Sequence, residues 1–531
     1  MGSLQDFQAQ VEERATRASK MKQALVEPFR RNGDDFFIPR TAAEAKERNL
    51  ILESAIQDTA YSLVQNGSMI AAVHARALQG YERRHGHLPS DDLLASCHKA
   101  IENAILLGSD KLKGQGIFES ADMSTTDGIL MRDRLISLVL PVQLQSITAN
   151  MVTHIPGDFN QSEFFRVDRV AGSTFGALTK GDRITYAYDG LYSVMDQRAP
   201  LGTGDGSKTD FSFDSKSLHG VSYPFKPKRT RIWVDRRVVA EDDGSGNIIG
   251  TYTQEDTPVV VSGTVNYAEG QMTVKFTVAP ATGLELHVGF DVNIETSPEL
   301  IPRIDHQMRS RVLYPHESAI CGSATLQALW ALRRELGQDI DNLTMQGLRN
   351  LLAADKDRKN LHEMLFHVKN QVEWCSVGDS QLTLREHYES LNAALLEVDS
   401  KLINGNGVVG LTGIVGASDV VNVFRYLPAP YFVAAPGYRS VAQPHFVGTV
   451  FGQWALYCNP QMDAKTALCF GRGPEHGQTA FVAGDAVPAL SFRHPMLGDL
   501  TQKATMWELA YRDMQPFDGE KYLCKLTFTD E

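Results

Sequence analysis

The chain has 531 residues, 43% of them hydrophobic, which is enough for two to four domains with full cores. Its net charge of −12 excludes a uniformly basic, DNA-coating surface. The amino terminus lacks a signal-peptide pattern, and no stretch approaches the roughly eighteen apolar residues of a membrane span, so we expect neither secretion nor membrane insertion. The six scattered cysteines lack any CxxC spacing, and we expect free thiols.

The first 115 residues are polar and predict a series of helices. Opposite charges recur at i,i+3 and i,i+4 spacing, which stabilises exposed helix faces. The predicted helices run from Leu4 to Val26, Ala42 to Val64, Met69 to Arg84 and Asp91 to Leu107. A glycine-rich stretch, KLKGQGIFES (111–120), then predicts a linker.

The pattern changes from helical to β in the middle of the chain. Residues 129–147 predict an apolar helix that is broken near Pro141, because proline interrupts the hydrogen bonds of a helix interior. Residues 163–188 alternate between polar and apolar side chains as strands do. An all-β block follows over about 200–292, with glycine-containing turns between the alternating segments.

Two glycine-rich loops in this block look superficially like ion-binding loops. GDGSKTDFSFD (204–214) predicts a turn followed by a strand, with Phe211 and Phe213 pointing into a small core. EDDGSGNII (241–249) lacks the initial aspartate and the final bidentate carboxylate of a calcium loop. We therefore predict β-hairpin turns and no bound ion at either loop.

Helices return after about residue 315. The predicted helices cover residues 317–336, 343–368, 384–402 and 419–427. The third has apolar residues spaced 4, 3, 4, 3 and 4 apart and a capping box that begins at Thr383. GNGVVG (405–410) precedes a predicted strand, whereas a dinucleotide-binding loop follows one. The last eighty residues are rich in predicted strands.

Two histidine-containing segments fail the spacing tests for a metal site. In LHEMLFH (361–367), His362 and His367 are five residues apart, whereas two zinc ligands on one helix face are four apart. RRHGH (83–87), even with Cys97 and its neighbouring histidine, contains no ligand pair with zinc spacing. We expect no catalytic, cofactor or metal site in this chain.

The segment KPKRTRIWVDRR (226–237) has six basic residues in twelve, with Trp233 among them. It fits a strand with one charged face, a nucleic-acid groove with an aromatic platform, or a charged face that docks on an acidic neighbour. We favour the last interpretation. The basic residues that it involves are Lys226, Lys228, Arg229 and Arg231.

Several segments share a family pattern in chain order. They are ILMRDRLISLVLPVQLQSITANMVTHIPGD (129–158), GIVGASDVVNVFRYLP (413–428), FVGTVFGQWALYCNP (446–460) and TAFVAGDAVPAL (479–490). With the predicted helices at 317–336 and 384–402, they resemble the major capsid proteins of tailed bacteriophages, in particular the longer, T-even-like members. The β block, through GDGSKTDF and GTVNYAEGQMTVKF (263–276), resembles small β modules inserted in phage structural proteins.

The resemblance implies an α+β, Hong Kong 97-type capsid fold. Such a fold has an extended loop, a peripheral domain with a long "spine" helix and an axial domain. Here it would also carry an inserted all-β domain and a helical N-terminal extension. The implied divisions are an N-terminal scaffold-like arm (1–118), an N-arm with the extended loop (119–200), the inserted β domain (201–292), the loop return with the peripheral domain (293–378), the axial domain (379–445) and strands that return to both domains (446–531).

The same resemblance implies a function in a virion. The protein would self-assemble as hexamers and pentamers into the icosahedral head around the dsDNA genome of a tailed phage, in the cytoplasm of the bacterial host. Its partners would be other copies of itself, scaffold, portal and decoration proteins, and packaged DNA bound without specificity. No cofactor, membrane or enzymatic activity is implied. The alternatives are a vertex (penton) protein, an encapsulin-like compartment, or an enzyme or adhesin with a β binding module.

Two site predictions depend on the resemblance. In some related proteins a phage protease removes the helical extension after a Leu/Ile-x-Glu sequence. Ile117-Phe118-Glu119 fits, which makes Glu119 a candidate cleavage site, and the sequence ending at Glu53 fits equally well. The basic segment with Trp233 would contact an acidic patch on an adjacent subunit.

Overall fold

The computed structural model describes residues 4–31, 35–36, 41–64, 66–107, 136–185, 191–254, 256–335, 340–376, 384–429, 431–493 and 501–530. The chain forms two compact units. The first contains residues 1–166 and 310–531, and the second contains residues 167–309. None of the helices in the described part of the chain combines the length and the apolar character that crossing a membrane requires.

Helices and strands alternate in blocks along the chain, which is an α+β arrangement. The described α-helices are α1 (Leu4–Leu25), α2 (Ala42–Ala55), α3 (Gly67–His85), α4 (Asp91–Leu107), α5 (Val139–Gln145), α6 (Ser215–His219), α7 (Leu326–Glu335), α8 (Ile340–His367), α9 (Leu384–Asn406) and α10 (Ser418–Arg425). The described strands are β1 (Arg30–Arg31), β2 (Asp35–Phe36), β3 (Val152–His154), β4 (Ser162–Ala171), β5 (Asp196–Thr203), β6 (Asp210–Asp214), β7 (Arg231–Val234), β8 (Arg237–Asp242), β9 (Asn247–Gln254), β10 (Thr257–Asn266), β11 (Gln271–Phe276), β12 (Glu285–Asp291), β13 (Ile304–Leu313), β14 (His316–Thr325), β15 (Asn370–Cys375), β16 (Gly413–Gly416), β17 (Phe432–Ala434), β18 (His445–Val450), β19 (Trp454–Cys458), β20 (Thr466–Phe470), β21 (Phe481–Arg493), β22 (Thr501–Met514) and β23 (Leu523–Thr529).

The amino-terminal helices largely match their predictions. The helices α1, α3 and α4 confirm three of the four predicted helices. The second is wrong in length, because α2 ends at Ala55 and not at Val64. Its end is explained by Thr59, whose hydroxyl donates to the carbonyl of Ile56 at 2.7 Å. Side-chain bonds of this kind compete with helix continuation, and the chain turns there.

These helices bury their apolar faces against strands from the far end of the chain. Leu78 and Tyr81 of α3 and Ile101 of α4 are at most 1% exposed. They belong to the same buried cluster as Val487 of β21 and Tyr511 of β22. The amino-terminal helices are therefore part of the core of the first unit.

The apolar segment before β3 is interrupted near Pro141, as predicted. The described helix α5 begins at Val139 and contains Pro141 in its first turn. Proline is tolerated there, because the N–H groups of the first turn have no acceptor within the helix. The predicted break near Pro141 is confirmed, because residues 137–138 form a turn between the helical Ile136 and the start of α5, and residues 129–135 lie outside the described residues.

The second unit contains an eight-stranded sheet with the order β5-β12-β7-β8-β9-β10-β11-β6, in which every described pairing is antiparallel. The strands predicted between about 200 and 292 are present. Their inward side chains form a core of their own, and its fully buried aromatic residues include Phe225, Phe276 and Phe290. The strands β4 and β13 pair as a separate two-stranded sheet.

A seven-stranded mixed sheet lies in the carboxyl-terminal part of the first unit, with the order β15-β23-β20-β16-β19-β18-β17. The helix α9 confirms the predicted apolar periodicity, and it buries Leu391, Leu395, Val398 and Leu402 completely. The predicted cap at Thr383 lies outside the described residues. The short helix predicted over 419–427 is confirmed as α10.

The predicted spine helix over 317–336 is wrong in its first half. Residues 316–325 form β14, which pairs with β22 over ten residues, and only residues 326–335 form a helix. The segment ESAICGSAT consists mainly of small residues with weak propensity, so its pairing with β22 decides its conformation. The longest described helix is instead α8, with 28 residues, close to the predicted helix over 343–368.

Candidate assembly surfaces

The predicted basic strand is β7 with the loop before it. Arg231 is exposed and Ile232 and Val234 are buried. Trp233 is half-buried, and the guanidinium carbon of Arg198 lies 4.4 Å from its ring centroid. The alternation confirms the predicted one-faced strand, and the cation–π contact holds the indole at the sheet surface.

Three of the four basic side chains of this segment have acidic neighbours in the same unit. The nitrogen–oxygen distances are 3.4 Å for Lys226–Glu295, 3.9 Å for Arg229–Asp291 and 3.5 Å for Arg231–Glu241. The three cations are 47–57% exposed, so each pair contributes only about 0–1 kcal/mol. An acidic surface on another molecule can therefore compete for them, and the contact between subunits stays a prediction.

Lys228 has a different role, because its backbone helps to build the neighbouring turn. Its φ is +66°, and its N–H donates to the buried carboxylate of Asp242 at 2.8 Å. The same carboxylate accepts the N–H of Gly244 at 2.9 Å and the hydroxyl of Tyr267 at 2.6 Å. Burial and this bond raise the pKa of Tyr267 to about 12. The loop at 241–249 is thus confirmed as a hairpin turn, organised by one carboxylate.

The GDGS loop is likewise a turn. The carboxylate of Asp205 accepts the backbone N–H groups of Lys208 at 2.7 Å and Ser207 at 2.9 Å, and these bonds lower its pKa. The following strand β6 buries Phe211 and Phe213, which confirms the prediction that they belong to the core of the β block. Both backbone N–H groups donate to the same oxygen of Asp205, so this carboxylate stabilises the turn of its own loop.

The edge strand β14 is the surface feature that sequence reasoning missed. Within the described residues it pairs only with β22, and none of its ten residues is buried. It contains no lysine, arginine or proline, the residues that usually block an exposed sheet edge. Large exposed side chains lie near both of its ends, with Tyr314 at 62% and Trp330 at 66% exposure. The alternation of small residues around Gly322 was the available signal, and the helix prediction obscured it.

A buried ionic cluster ties α8 to β21. The ammonium of Lys356 and the amide of Gln143 both donate to Asp485. Burial is the largest influence and would raise the pKa of Asp485, but the charge of Lys356 and the hydrogen bonds from Lys356 and Gln143 together lower it. Burial raises the pKa of the adjacent Asp357, which accepts the hydroxyl of Thr148 at 3.0 Å. No local motif predicts these contacts, because the partners are more than a hundred residues apart in sequence.

The remaining predicted or rejected sites do not meet in the structure. His362 is exposed, and Nδ1 of His367 lies 2.8 Å from the carbonyl oxygen of Glu363. Cys97 is buried, and burial raises the pKa of its thiol. In the described part of the chain, no group of three or more histidine, cysteine, aspartate or glutamate side chains is arranged to hold a metal ion. Glu119 lies outside the described residues.

Comparison with known proteins gives a sequence relative and partial matches to solved structures. A sequence family described as "Domain of unknown function (DUF8615)" matches residues 2–146. Protein IncB of Escherichia coli is 31% identical over 186 residues, which make up 34% of this chain and 88% of that protein. Among solved structures, the capsid of the jumbo bacteriophage PhiKZ is 10% identical, with a TM-score of 0.30 over 71% of this chain and 91% of that chain. The SrpI encapsulin of Synechococcus elongatus is 12% identical, with a TM-score of 0.28 over 43% of this chain and 78% of that chain.

Proposed function

The chain belongs to the family of Protein IncB of Escherichia coli, and we propose that it is a shell-forming protein of the capsid type. In its specific form, the proposal is that the chain is the major capsid protein of a tailed-phage head and assembles as hexamers and pentamers around double-stranded DNA. It is then part of the virion, and it acts through the geometry of its contacts and not through catalysis. Closed shells arise when identical surfaces meet by symmetry.

The observation that carries the proposal is the carboxyl-terminal layer of the first unit. Three of the segments that resemble capsid motifs, at 384–402, 413–428 and 446–460, fold in succession into α9, β16, α10 and the β18–β19 hairpin. The strands β16, β18 and β19 belong to one sheet, and buried residues of α9 and α10 share one hydrophobic cluster with them. All four residues of β16 are buried, and this strand lies between β19 and β20. Motifs that matched by chance would not be expected to converge on one layer, so their convergence supports a common fold.

The edge strand β14 supports assembly with other molecules. Within the described residues, one edge of the ten-residue β14 is unpaired and the strand contains no lysine or proline, and an edge of this kind tends to pair with another chain. In a shell such an edge can be covered by a neighbouring subunit. We propose that β14 is covered in this way when the shell is assembled.

The amino-terminal helices are, in this proposal, a permanent part of the shell. Asn103 of α4 is buried, and its amide donates to the carbonyl of Gly157 at 2.9 Å and to that of Ala486 at 2.8 Å. Helices held this way can be removed only by opening the core. Cleavage after Glu119 stays a prediction, and this packing would keep its amino-terminal product bound.

The test is electron microscopy of the purified full chain over a range of protein and salt concentrations. We expect closed icosahedral shells or sheets of capsomers. A compact monomer under every condition would refute the proposal. Mass spectrometry of assembled particles reports whether residues 4–107 are retained, and nuclease-protected nucleic acid in the particles separates a genome-filled head from a compartment for other cargo.

A matched pair of variants tests the role of β14. The change Cys321→Lys with Ser323→Lys adds two charges to exposed positions of the edge strand. The control, Thr251→Lys with Thr253→Lys, adds the same charges to exposed positions of β9, an internal strand of its sheet. We expect the first variant to fold but to remain unassembled, and the control to assemble. Normal shells from the edge variant would remove β14 from the proposed contact.

A further inference from the structure

A basic, aromatic pocket lies in the first unit between the end of α3 and the segment before β18. Its volume is about 300 Å³. The lining residues that matter for recognition are Arg84, His85, Tyr438, Arg439, His445, Phe446 and Tyr457. The lining contains no aspartate or glutamate, although acidic residues outnumber basic ones in the chain by 64 to 52. The pocket is therefore a positively charged site in an acidic protein.

The wall of the pocket is a series of rings. The lining ring of His85 is stacked on the buried ring of Tyr81, with centroids 4.2 Å apart and planes inclined by 27°. His85 also lies 4.4 Å from Phe446, which lies 5.2 Å from Tyr457. Flat ring surfaces of this kind are suited to stacking against another planar ring.

The imidazole of His85 belongs to this wall as a neutral ring. Burial lowers its pKa to about 4, and the neighbouring Arg84 and His87 act in the same direction. At neutral pH the positive charge of the pocket therefore comes from its arginines, and the histidine contributes an uncharged stacking surface.

The two arginines of the pocket are free to bind an anion. Both Arg84 and Arg439 are exposed, and within the described residues neither has a carboxylate oxygen within 4.0 Å. The Nε of Arg84 donates to the carbonyl of Gly80 at 3.1 Å, which leaves its terminal nitrogens for a ligand. A third guanidinium, that of Arg425, lies 5.2 Å from the ring centroid of Tyr438 at the same pocket. A guanidinium matches the oxygens of a phosphate group bidentately.

We propose that this pocket binds a nucleotide unit of a single-stranded nucleic acid, with its phosphate on Arg84 and Arg439 and its base against the rings of Tyr438 and Phe446. A groove that combines arginines with aromatic rings is the general arrangement for binding single strands without sequence specificity. An acidic peptide would use the arginines but not the rings. The inference stands on the pocket alone and does not depend on the shell-forming role.

Fluorescence anisotropy with the full chain and a labelled oligothymidylate of about twelve nucleotides tests the proposal, since single-strand sites span about 4–16 nucleotides. Arg84→Gln with Arg439→Gln should weaken binding about tenfold or more at about 0.1 M salt. It should also reduce the slope of log affinity against log salt by about 0.7, the value for one lost phosphate contact on a single strand. Tyr438→Leu should weaken binding about tenfold while leaving that slope unchanged, because stacking does not release counterions.

The control removes two positive charges elsewhere. Lys208→Gln with Lys275→Gln changes exposed lysines of the second unit, and we expect its affinity to equal that of the unmodified chain. Three results would overturn the proposal. They are the absence of binding at low salt, equal loss of binding in the control, and displacement of the oligonucleotide by polyglutamate or duplex DNA as effectively as by unlabelled single strand.

Discussion

The amino-terminal helices and the second unit differ in where their buried residues belong. The helices over 4–107 share one buried cluster with β21 and β22, which lie almost 400 residues further along the chain. The second unit has a cluster of its own, formed by residues between Phe175 and Val292. Both regions lie outside the seven-stranded layer, yet only the second encloses a complete core.

Because of this difference, we expect that the second unit can be removed without unfolding the rest of the chain, and that the helices over 4–107 cannot. Burial of apolar surface is the main stabilising contribution to folding, so a region with its own core can fold without the rest. A region that supplies half of a shared core leaves the other half exposed when it is removed. A scaffold-like arm would be expected to be dispensable after assembly, so removal of the helices over 4–107 tests that predicted role.

Two deletions should give the largest contrast. Removal of residues 1–107 should abolish cooperative folding, because it uncovers the apolar faces of β21 and β22. We expect the free energy lost in this way to exceed a typical folding stability of about 5–15 kcal/mol. Excision of residues 173–302, joined by Asn-Gly, should leave the first unit folded. The N–H of Gly172 donates to the carbonyl of Arg303 at 2.8 Å, so the two ends already lie side by side.

Circular dichroism and calorimetry of both deletions measure this contrast. A folded protein with a cooperative transition after loss of residues 1–107 would contradict the shared core. An unfolded protein after excision of residues 173–302 would show instead that the second unit is not independent.

Single cavities should reproduce the contrast at smaller scale. Phe290 in the second unit is fully buried, with ring centroids 4.5 Å from Phe225 and 5.6 Å from Phe213. Phe290→Ala should destabilise that unit by about 3–5 kcal/mol. The matched variant Phe424→Ala creates a cavity in the seven-stranded layer. Each should lower only one of two calorimetric transitions, and lowering of both by either variant would indicate a single cooperative core.

Acid should act on the first unit, because the described histidines whose pKa values are lowered all lie there. His74 is fully buried between the hydroxyl of Tyr61 at 2.7 Å and the carbonyl of Ile136 at 3.1 Å. Burial lowers its pKa from 6.5 to about 4. The unfolded chain takes up the proton first, so stability is lost as pH falls from about 6.5 to about 4 and stays constant below that.

Over this range His74 contributes about 3 kcal/mol to the pH dependence of the unfolding free energy. This follows because its pKa falls from 6.5 to about 4 and each pH unit corresponds to about 1.36 kcal/mol. His74→Gln should therefore reduce the difference in unfolding free energy between pH 7.5 and about pH 4 by that amount. Urea titrations at both pH values measure it. An unchanged difference would show that the imidazole has the same pKa in the folded and the unfolded chain.

Local patterns in the sequence predicted much of this architecture. The periodicity of residues 384–402 and the glycine turns of the β block are set by near neighbours, and both predictions are confirmed in the described residues. The helix prediction for 317–336 failed over its first half, because the conformation of these residues depends on pairing with β22, about 185 residues away. Propensity is weak for a segment of alanine, serine and cysteine, and pairing then decides.

The candidate sites divide in the same way. The charged face around Arg231 follows from strand alternation, and sequence was sufficient to predict it. The pocket between Arg84 and Arg439 depends on segments about 350 residues apart, and no spacing rule connects them. The pair of Lys356 and Asp485 was missed for the same reason.

The smallest expected effect concerns the basic strand of the second unit. Arg231 and Glu241 are 3.5 Å apart and 48% and 65% exposed, so water screens their attraction. A double-mutant cycle with Arg231→Gln and Glu241→Gln should give a coupling below about 1 kcal/mol in the unfolding free energy. A larger coupling would mean that Arg231 and Glu241 form a strong ion pair, which a neighbouring molecule could not replace. A small one leaves the guanidinium available, so removing it should weaken contacts between molecules while the fold of the second unit is unaffected.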